Sequence, residues 1–478
     1  MTDGFGEAAA IDLAGVRRVH LIAISGVAMT SLAGMLKSRG YEVSGSDQNV
    51  YPPASALLER LGISVRLGYR AENLEPPPDL VVVGNAISRT NPEAAALLER
   101  NIPYVSMPEA IRRLFLPGKR SLVVAGTHGK TTSTSMLACA LASAGRDPSL
   151  MVGGDALDFG GNYRLGTGED FVLEGDEYDT AFFDKGPKFL HYEPRGLILT
   201  AVEFDHADIY RDVEHVIGAF VSLLRIVPRG APIVACADFP HVATAVERSG
   251  RSVETFGFAR EADWRAVEVR DENGRTRFAI HRHGRIEDEL AIRAMGPMNA
   301  RNALGVFALC RRLGLVSDDI RPGLETFRGV RRRQEILREG PITVIDDFAH
   351  HPTAITATLQ ALRCRYPGRK LRAVFEPRSN TSRRHTFQKE FAEALAAADA
   401  AVVAAVFFKE TDPLPPSDRL SVDEIVAELR ARGREAETLP DDDAILDYLR
   451  RSVAPGEVVA FLSNGAFGGL PHRFADSL

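Results

Sequence analysis

Residues 121–145, SLVVAGTHGKTTSTSMLACALASAG, decide the fold. The stretch begins with an apolar, β-branched run that predicts a buried strand, and its second half places apolar residues on one side of a predicted helix. Between the two lies a glycine-containing turn at residues 126–132. A strand, a turn that contains Gly-Lys-Thr and a helix are the context in which phosphate-binding loops occur. The stretch therefore predicts a nucleoside triphosphate site.

The predicted turn carries groups for a phosphate and for a divalent cation. Backbone N–H groups of the turn and of the helix N-terminus can surround an oxyanion. Lys130 can reach the terminal phosphates, and the hydroxyl of Thr131 is placed to bind Mg²⁺. The usual motif has glycine six residues before the lysine, where this chain has Val124, and an ordinary turn can also contain Gly-Lys-Thr. The residues that we expect to bind the nucleoside triphosphate are Gly126, Thr127, His128, Gly129, Lys130, Thr131 and Thr132.

Composition limits the class of protein. A chain of 478 residues predicts roughly three domains. The net charge of −6, without a basic stripe, argues against a nucleic-acid partner, and no apolar run is long enough to predict a membrane span. Four dispersed cysteines favour reduced thiols in the cytoplasm, and residues 1–13 do not read as a secretory signal. We expect a cytoplasmic protein; the sequence leaves its oligomeric state open.

Strand and helix patterns alternate through three regions, which predicts an α/β protein with three domains. The expected boundaries are residues 1–116, 117–327 and 328–478. The first and third domains should be Rossmann-like, and the central one should have the parallel or mixed sheet of a P-loop ATPase. Sheets of this type bind ligands at the carboxyl ends of their strands.

Polar residues follow several predicted strands of the central region. Glu174 comes directly after residues 171–173 and could bind Mg²⁺, although a solvated acidic loop is the alternative. His206 lies among carboxylates after the next predicted strand. Asn299 and Asn302 share one helical face, where they could contact an adenine or cap the helix.

Taken in order along the chain, these motifs resemble those of the Mur ligases, the ATP-dependent enzymes that form amide bonds in peptidoglycan assembly. The resemblance covers nearly the whole chain. Its motifs are residues 126–132, Glu174-Gly-Asp-Glu, Glu203-x-Asp-His206, Asn299-x-x-Asn302, Arg333-x-Glu335 and Asp346-Asp347-x-Ala-His-His-Pro352.

The resemblance implies a role for each domain and for the motif residues. The first domain would bind a UDP-sugar, the central one ATP, and the third the incoming amine. The residues with implied catalytic roles are Lys130, Glu174, His206 and Arg333. The implied metal ligands are Thr131, Glu174 and His206. The residues that would join the loop in binding the nucleotide are Asn299, Asn302, Arg333 and Asp347.

Two branches of the family begin with UDP-N-acetylmuramate. One adds L-alanine, and the other adds the recycled tripeptide L-alanyl-γ-D-glutamyl-meso-diaminopimelate; several segments here, such as residues 376–381 and 463–469, resemble the second. The implied UDP-sugar contacts are Ser25, Gly26, Ser46, Asp47 and Asn85. The implied tripeptide contacts are Arg378, Ser379, Asn380 and Asn464.

The sequence leaves alternatives open for the role of Arg378 and for the function of the chain. Arg378 could instead cap a helix or lie free on the surface. The chain could be the L-alanine ligase, a non-catalytic nucleotide switch on the same scaffold, or a ligase that adds glutamate to folate. The last of these would leave the first domain without a role.

Overall fold

The computed structural model describes residue 13 and residues 15–51, 54–409 and 413–478. Its contacts divide the chain into two compact units. The first contains Met1–Val202, Val216–Val253 and Leu309–Ile320, and the second contains Glu203–His215, Glu254–Ala308 and Arg321–Leu478. Among the described residues, no helix combines the length and apolar character that crossing a bilayer requires.

The first region alternates strands and helices as predicted. Its elements are β1 (Arg18–Ile22), α1 (Val27–Ser38), β2 (Glu42–Asp47), α2 (Ala54–Arg60), β3 (Val65–Leu67), β4 (Leu80–Val83), α3 (Pro92–Glu99), β5 (Tyr104–Ser106) and α4 (Met107–Phe115).

The central region contains more strands than the sequence predicted. Its elements are β6 (Arg120–Ala125), α5 (Lys130–Ser143), β7 (Ser149–Ala156), β8 (Gly161–Arg164), β9 (Asp170–Gly175), β10 (Asp179–Ala181), β11 (Asp184–Pro187), β12 (Gly196–Leu199), α6 (Val213–Ile226), β13 (Ile233–Cys236), α7 (Pro240–Ser249), β14 (Glu254–Gly257), β15 (Trp264–Glu272), β16 (Arg275–Arg282), β17 (Arg285–Ile292), α8 (Gly296–Arg312) and α9 (Ser317–Thr326).

The third region is again alternating. Its elements are β18 (Glu335–Arg338), β19 (Thr343–Asp347), α10 (Pro352–Arg365), β20 (Lys370–Phe375), α11 (Gln388–Leu395), β21 (Ala400–Ala404), α12 (Val422–Ala431), β22 (Glu435–Leu439), α13 (Asp442–Ser452), β23 (Glu457–Leu462) and α14 (Leu470–Asp476). Short 3₁₀ helices lie at Ala71–Leu74, Lys188–His191, His385–Phe387, Pro416–Asp418 and Phe467–Gly469.

The first unit contains an antiparallel pair of short strands, β10 and β11, and two larger sheets. One is fully parallel, in the order β3-β2-β1-β4-β5. In the other, strands β13-β12-β6-β9-β7-β8 are neighbours in that order, and all are parallel except β8. The central strand β6 is buried from Ser121 to Ala125, as is typical of an inner strand of a parallel sheet.

The second unit contains the remaining strands. Strands β17-β16-β15-β14 are neighbours, and Asn273 and Gly274 form the tight turn between β15 and β16, both with positive φ, as the Asn-Gly signal predicted. A separate sheet has the order β18-β19-β23-β20-β21-β22, parallel except at its edge strand β18. The α/β fold class predicted from the sequence is confirmed.

One predicted strand was too long. The apolar run at residues 401–408 predicted a strand throughout, but β21 ends at Ala404. Its neighbours β20 and β22 end at the same level, so no ladder remains to extend it. The backbone N–H of Phe407 instead donates to the carbonyl of Pro377 at 3.0 Å. The run therefore turns towards the loop that follows β20.

Candidate active site

The turn predicted as a phosphate-binding loop joins β6 to α5. Gly126 has φ +138°, and a Cβ there would lie 2.2 Å from Oγ1 of Thr200 and 2.7 Å from the backbone N of Ala201. Gly129 is left-handed, with φ +78°, and immediately precedes α5. Both glycines are required by this geometry, which leaves backbone N–H groups and the helix N-terminus at the loop.

Lys130 is held in place by a carboxylate that the sequence analysis did not assign. Its Nζ donates to Oε2 of Glu177 at 2.8 Å and to the carbonyl of Gly126 at 2.7 Å. Glu177 is almost fully buried. Burial disfavours the charge of Lys130, but the carboxylates of Glu177 and Asp176 outweigh it and raise the pKa of the lysine. Lys130 is therefore a fixed cation beside the loop.

Thr131 and Glu174, two of the three expected metal ligands, are in contact. The Thr131 hydroxyl donates to Oε1 of Glu174 at 2.8 Å, and the backbone N–H of Gly153 donates to the other carboxylate oxygen at 2.6 Å. Burial raises the pKa of the Glu174 carboxyl. A hydroxyl and a carboxylate in contact are the hard oxygen donors that Mg²⁺ binds, so these residues fit that ion.

Strand register produces this arrangement. Val124 of β6 lies opposite Glu174 of β9, and Ala125 lies opposite Leu199 of β12. Because the three strands are parallel neighbours, their carboxyl ends meet at one edge. Thr200, which follows β12, donates its hydroxyl to the carbonyl of His128 at 2.5 Å and fixes the loop from the other side.

Three of the four expected nucleotide residues outside the loop belong to one hydrogen-bonded group in the second unit. Asn302 donates to Oδ1 of Asn299 at 3.1 Å, and Asn299 donates to Oε1 of Gln334 at 2.9 Å. The backbone N–H of Gln334 donates to Asp347 at 2.7 Å. The structure thus brings Asn299, Asn302 and Asp347 together, and it adds Gln334, which the sequence analysis missed.

Arg333 and Asp347 lie on the same segments. The Arg333 guanidinium stacks 4.1 Å from the centre of the Phe348 ring. Burial raises the pKa of Asp347, and the nearby Arg333 and backbone N–H groups only partly offset that rise. Their role at a nucleotide stays a prediction.

His206 belongs to a second cluster of the same unit. It has a left-handed φ of 54°, and its backbone N–H donates to Oδ1 of Asp205 at 2.7 Å. Burial opposes ionisation of Asp205, but a hydrogen bond from His350 and the surrounding histidines hold its pKa well below the usual range. The hydroxyl of Thr381 donates to the same carboxylate at 2.7 Å. Thr131 and Glu174 belong to the first unit, so the proposed metal role of His206 stays a prediction.

Arg378 is held at the carboxyl end of β20. Its guanidinium carbon lies 3.8 Å from the centre of the Phe407 ring, and NH1 lies 3.3 Å from Oε1 of Glu376. A Cβ on Gly465 would lie 2.2 Å from the Arg378 side chain, so this position must be glycine for the arginine to pass. Arg378 is therefore an ordered, half-buried cation. It does not cap a helix.

The other expected tripeptide residues lie directly after this arginine, at Ser379 and Asn380, and in the loop after β23, at Asn464. Ser379 and Ser382 exchange hydrogen bonds, and Oδ1 of Asn380 accepts from Lys409 at 2.9 Å. Oδ1 of Asn464 is buried and has no hydrogen-bond partner among the described residues. That unsatisfied acceptor is available to a ligand.

The expected UDP-sugar residues are the last two residues of β2 and residues shortly after β1 and β4, and these three strands have adjacent carboxyl ends. The carboxylate of Asp47 accepts from the backbone N–H of Ser25 at 2.9 Å, and the hydroxyl of Ser46 donates to the buried Glu93 at 2.9 Å. Ser46 and Asp47 thus shape the loop that contains Ser25 and Gly26. Asn85 is exposed. Contacts of these residues with a ligand stay a prediction.

Some residues that position the site were missed for identifiable reasons. Glu177 lies in the Gly-Asp-Glu segment that was noted, but its partner is 47 residues away. Phe407 was placed in a strand, and Gly465 gave no local signal of its contact with Arg378.

Three family profiles match the chain consecutively. They describe the Mur ligase family catalytic domain at residues 18–117, the Mur ligase middle domain at residues 124–310 and the Mur ligase glutamate ligase domain at residues 332–465. The chain is 39% identical over 465 residues to the UDP-N-acetylmuramate–L-alanyl-γ-D-glutamyl-meso-2,6-diaminoheptandioate ligase of Escherichia coli K12, covering 96% of this chain and 98% of the relative.

Two solved structures are similar over nearly their whole length. The murein peptide ligase of Psychrobacter arcticus is 31% identical, with a TM-score of 0.70, over 97% of this chain and 98% of the other. The UDP-N-acetylmuramate-alanine ligase of Thermotoga maritima is 28% identical, with a TM-score of 0.80, over 96% and 98%. The sequence identity is higher to the peptide ligase, whereas the TM-score is higher to the alanine ligase. Because the fold is shared, identity is the more informative of the two about substrate.

Proposed function

This chain belongs to the Mur ligase family, and we propose that it joins UDP-N-acetylmuramate to the tripeptide L-alanyl-γ-D-glutamyl-meso-diaminopimelate in an ATP-dependent reaction of peptidoglycan recycling. The observation that carries the proposal is the 39% identity, over 96% of the chain, to a ligase named for these two substrates. The phosphate-binding loop supplies the ATP site that such a ligase requires.

The chemistry requires activation of a carboxylate. In the proposed reaction the γ-phosphoryl group of ATP passes to the carboxylate of UDP-N-acetylmuramate, which gives an acyl phosphate and ADP. The amine of the tripeptide then attacks the acyl carbon, and phosphate leaves. Negative charge develops on oxygens in both steps, so fixed cations and N–H donors stabilise them.

The residues of the phosphate loop match these demands. Lys130 is a partly buried cation whose ammonium is held in place by Glu177, so it can neutralise charge on the transferring phosphoryl group without reorganising. Thr131 and Glu174 would hold Mg²⁺, and the proposed third ligand is His206. When bound, the ion would neutralise phosphate charge and orient the phosphates for in-line transfer.

The tripeptide assignment has its own support in the second unit. The tripeptide carries several carboxylates, whereas L-alanine carries one. Arg378 is ordered by Phe407 and Gly465 and can bind a carboxylate bidentately. Asn464 adds an unsatisfied acceptor for an ammonium or amide donor.

Each of the three regions of the chain is proposed to bind one substrate. We assign UDP-sugar binding to residues 1–116, ATP binding to residues 117–327 and amine binding to residues 328–478. A cytoplasmic location follows from the substrates, because ATP and recycled tripeptide are both cytoplasmic. The alternative is the L-alanine ligase, which the TM-score of 0.80 favours.

Phosphate release tests the proposal. The assay contains ATP, Mg²⁺ and UDP-N-acetylmuramate, with either the tripeptide or L-alanine as the amine. Tripeptide-dependent release, with the ligated product found by mass spectrometry, is the expected result. Turnover with L-alanine alone would identify the alternative, and ATP binding without turnover of either amine would indicate a nucleotide switch.

A further inference from the structure

A cavity of about 790 Å³ lies in the first unit, away from the phosphate loop. It is lined by the end of α4, by the segment that leads to β6, by the start of β6 and by the segment before β12. Ser121 lines it and precedes Ala125, the last residue of β6, by four positions. At about 3.3 Å per residue the cavity is therefore about 13 Å along the strand from the phosphate loop.

The cavity is strongly cationic. The cationic side chains that line it are Arg112, Arg113, Lys119 and Arg195, and the lining contains a single carboxylate, that of Glu193. Glu109, from α4, pairs with Arg113 at 2.6 Å and lies 3.5 Å from Arg112. Counting both carboxylates, two positive charges remain uncompensated at the cavity.

Arg195 and Lys119 carry that excess. Lys119 donates to the carbonyls of Gly166 and Gly168, which are neutral. The side chain of Arg195 is exposed and makes no ion pair with any residue that the structure describes. An anion in the cavity would give both cations an ion-pair partner.

Buried polar atoms without partners point the same way. Ser121 is 2% exposed, and its hydroxyl has no hydrogen-bond partner among the described residues. The Nε atom of Arg112 is also buried and unpartnered within the described part of the chain. Because both residues line the cavity, an acceptor bound there could satisfy this hydroxyl and this N–H group.

We propose that this cavity binds a small polyanion with phosphate or carboxylate groups and a net charge of about −2. Arg195 and Lys119 supply the charge, and Ser121 and Arg112 supply hydrogen bonds. Leu116 and Pro117 give the cavity an apolar wall, which suits an organic ligand. Because residues 116–119 join α4 to β6, the ligand would fasten these two elements to each other. The lining shares no residue with the proposed ATP, UDP-sugar and tripeptide sites.

Equilibrium binding of pyrophosphate and of citrate tests the proposal and separates the two ligand chemistries. Titrations use the full chain at constant ionic strength, in a Lys130→Ala background that weakens phosphate binding at the loop. In that background Arg195→Ala and Ser121→Ala remove cavity groups, and Arg60→Ala removes an exposed arginine elsewhere as the matched control.

We expect one of the two probes to bind saturably and Arg195→Ala to weaken its binding about tenfold. Ser121→Ala should weaken it several-fold, and Arg60→Ala should leave it unchanged. Tighter binding of pyrophosphate would identify a phosphate ligand, and tighter binding of citrate a carboxylate. Equal losses in Arg195→Ala and Arg60→Ala, or no saturable binding of either probe in the millimolar range, would overturn the proposal.

Discussion

Lys130 and Glu177 illustrate what individual residues contribute beyond a motif. The motif supplies the lysine, but the direction and charge of its ammonium depend on a buried carboxylate 47 residues away. Removing the Glu177 carboxylate takes away a negative charge that stabilises the ammonium of Lys130, so the pKa of Lys130 falls. Glu177 is thus a positioning residue that acts through Lys130.

Glu177→Gln should lower kcat about tenfold and move the alkaline limb of the pH dependence of kcat to lower pH. The reason is that Lys130 loses its proton more readily without the Glu177 charge. Phosphate release across a pH series measures both effects. Asp179→Asn is the matched control, since Asp179 lies nearby but pairs with the exposed Lys185 at 2.7 Å. An unchanged alkaline limb would refute the positioning role.

Gly465 makes a second residue-scale prediction. Gly465→Ala would place a Cβ 2.2 Å from Arg378 and displace its guanidinium from the Phe407 ring. Loss of one charge-assisted contact to the tripeptide should raise the KM for the tripeptide roughly tenfold or more, with the KM for ATP unchanged. Gly340→Ala is the control, because the nearest atom to its new Cβ is the carbonyl oxygen of Ile342 at 4.0 Å, which is an ordinary contact distance. Equal KM values for Gly465→Ala and wild type would show that Arg378 does not bind the peptide.

At the scale of secondary-structure elements, the side chains of the candidate site are positioned by the carboxyl ends of parallel strands. Parallel neighbours β6, β9 and β12 bring the phosphate loop, Glu174 and Thr200 to one edge, and this could be predicted because each strand is a short apolar run followed by polar residues. Strands β7 and β8 were missed. Their sequences, SLMVGGDA and GNYR, contain glycine and polar residues that weaken any strand signal, and pairing within the sheet supplies what local preference lacks.

The end of β19 gives an element-scale prediction about pH. Burial raises the pKa of Asp346 to about 6, and Arg332, 3.2 Å away, offsets only part of that effect. The carboxyl is more easily protonated in the folded state, so its contribution to stability is complete below about pH 4 and is lost as the pH rises through 6. The Asp346→Asn variant has no such loss.

Between pH 4 and pH 7, the free energy of unfolding of the wild type should therefore fall by up to about 3 kcal/mol relative to that of Asp346→Asn. Urea denaturation of both proteins at each pH measures the difference. Asp447→Asn, at a side chain that is 68% exposed, should show a difference that does not change with pH. A pH-independent difference for Asp346→Asn as well would contradict the raised pKa.

At the scale of the whole molecule, the sequence predicted the α/β class and the family because the motifs are local and ordered along the chain. It could not predict contacts between distant segments, such as Asn299 with Gln334 or Arg378 with Gly465, because no local pattern encodes which loops meet. The cationic cavity was missed for the same reason, since its residues come from α4, β6 and the segment before β12.

Substrate choice is the central claim at this scale, because the two branches share a fold and a phosphate loop and differ in the amine that they accept. A single competition reaction tests it most directly: ATP, Mg²⁺ and UDP-N-acetylmuramate with equal concentrations of tripeptide and L-alanine, and both ligated products quantified by mass spectrometry. We predict that the tripeptide product predominates, and that Arg378→Ala reduces its share. Predominance of the L-alanine product in the wild-type reaction would contradict the account.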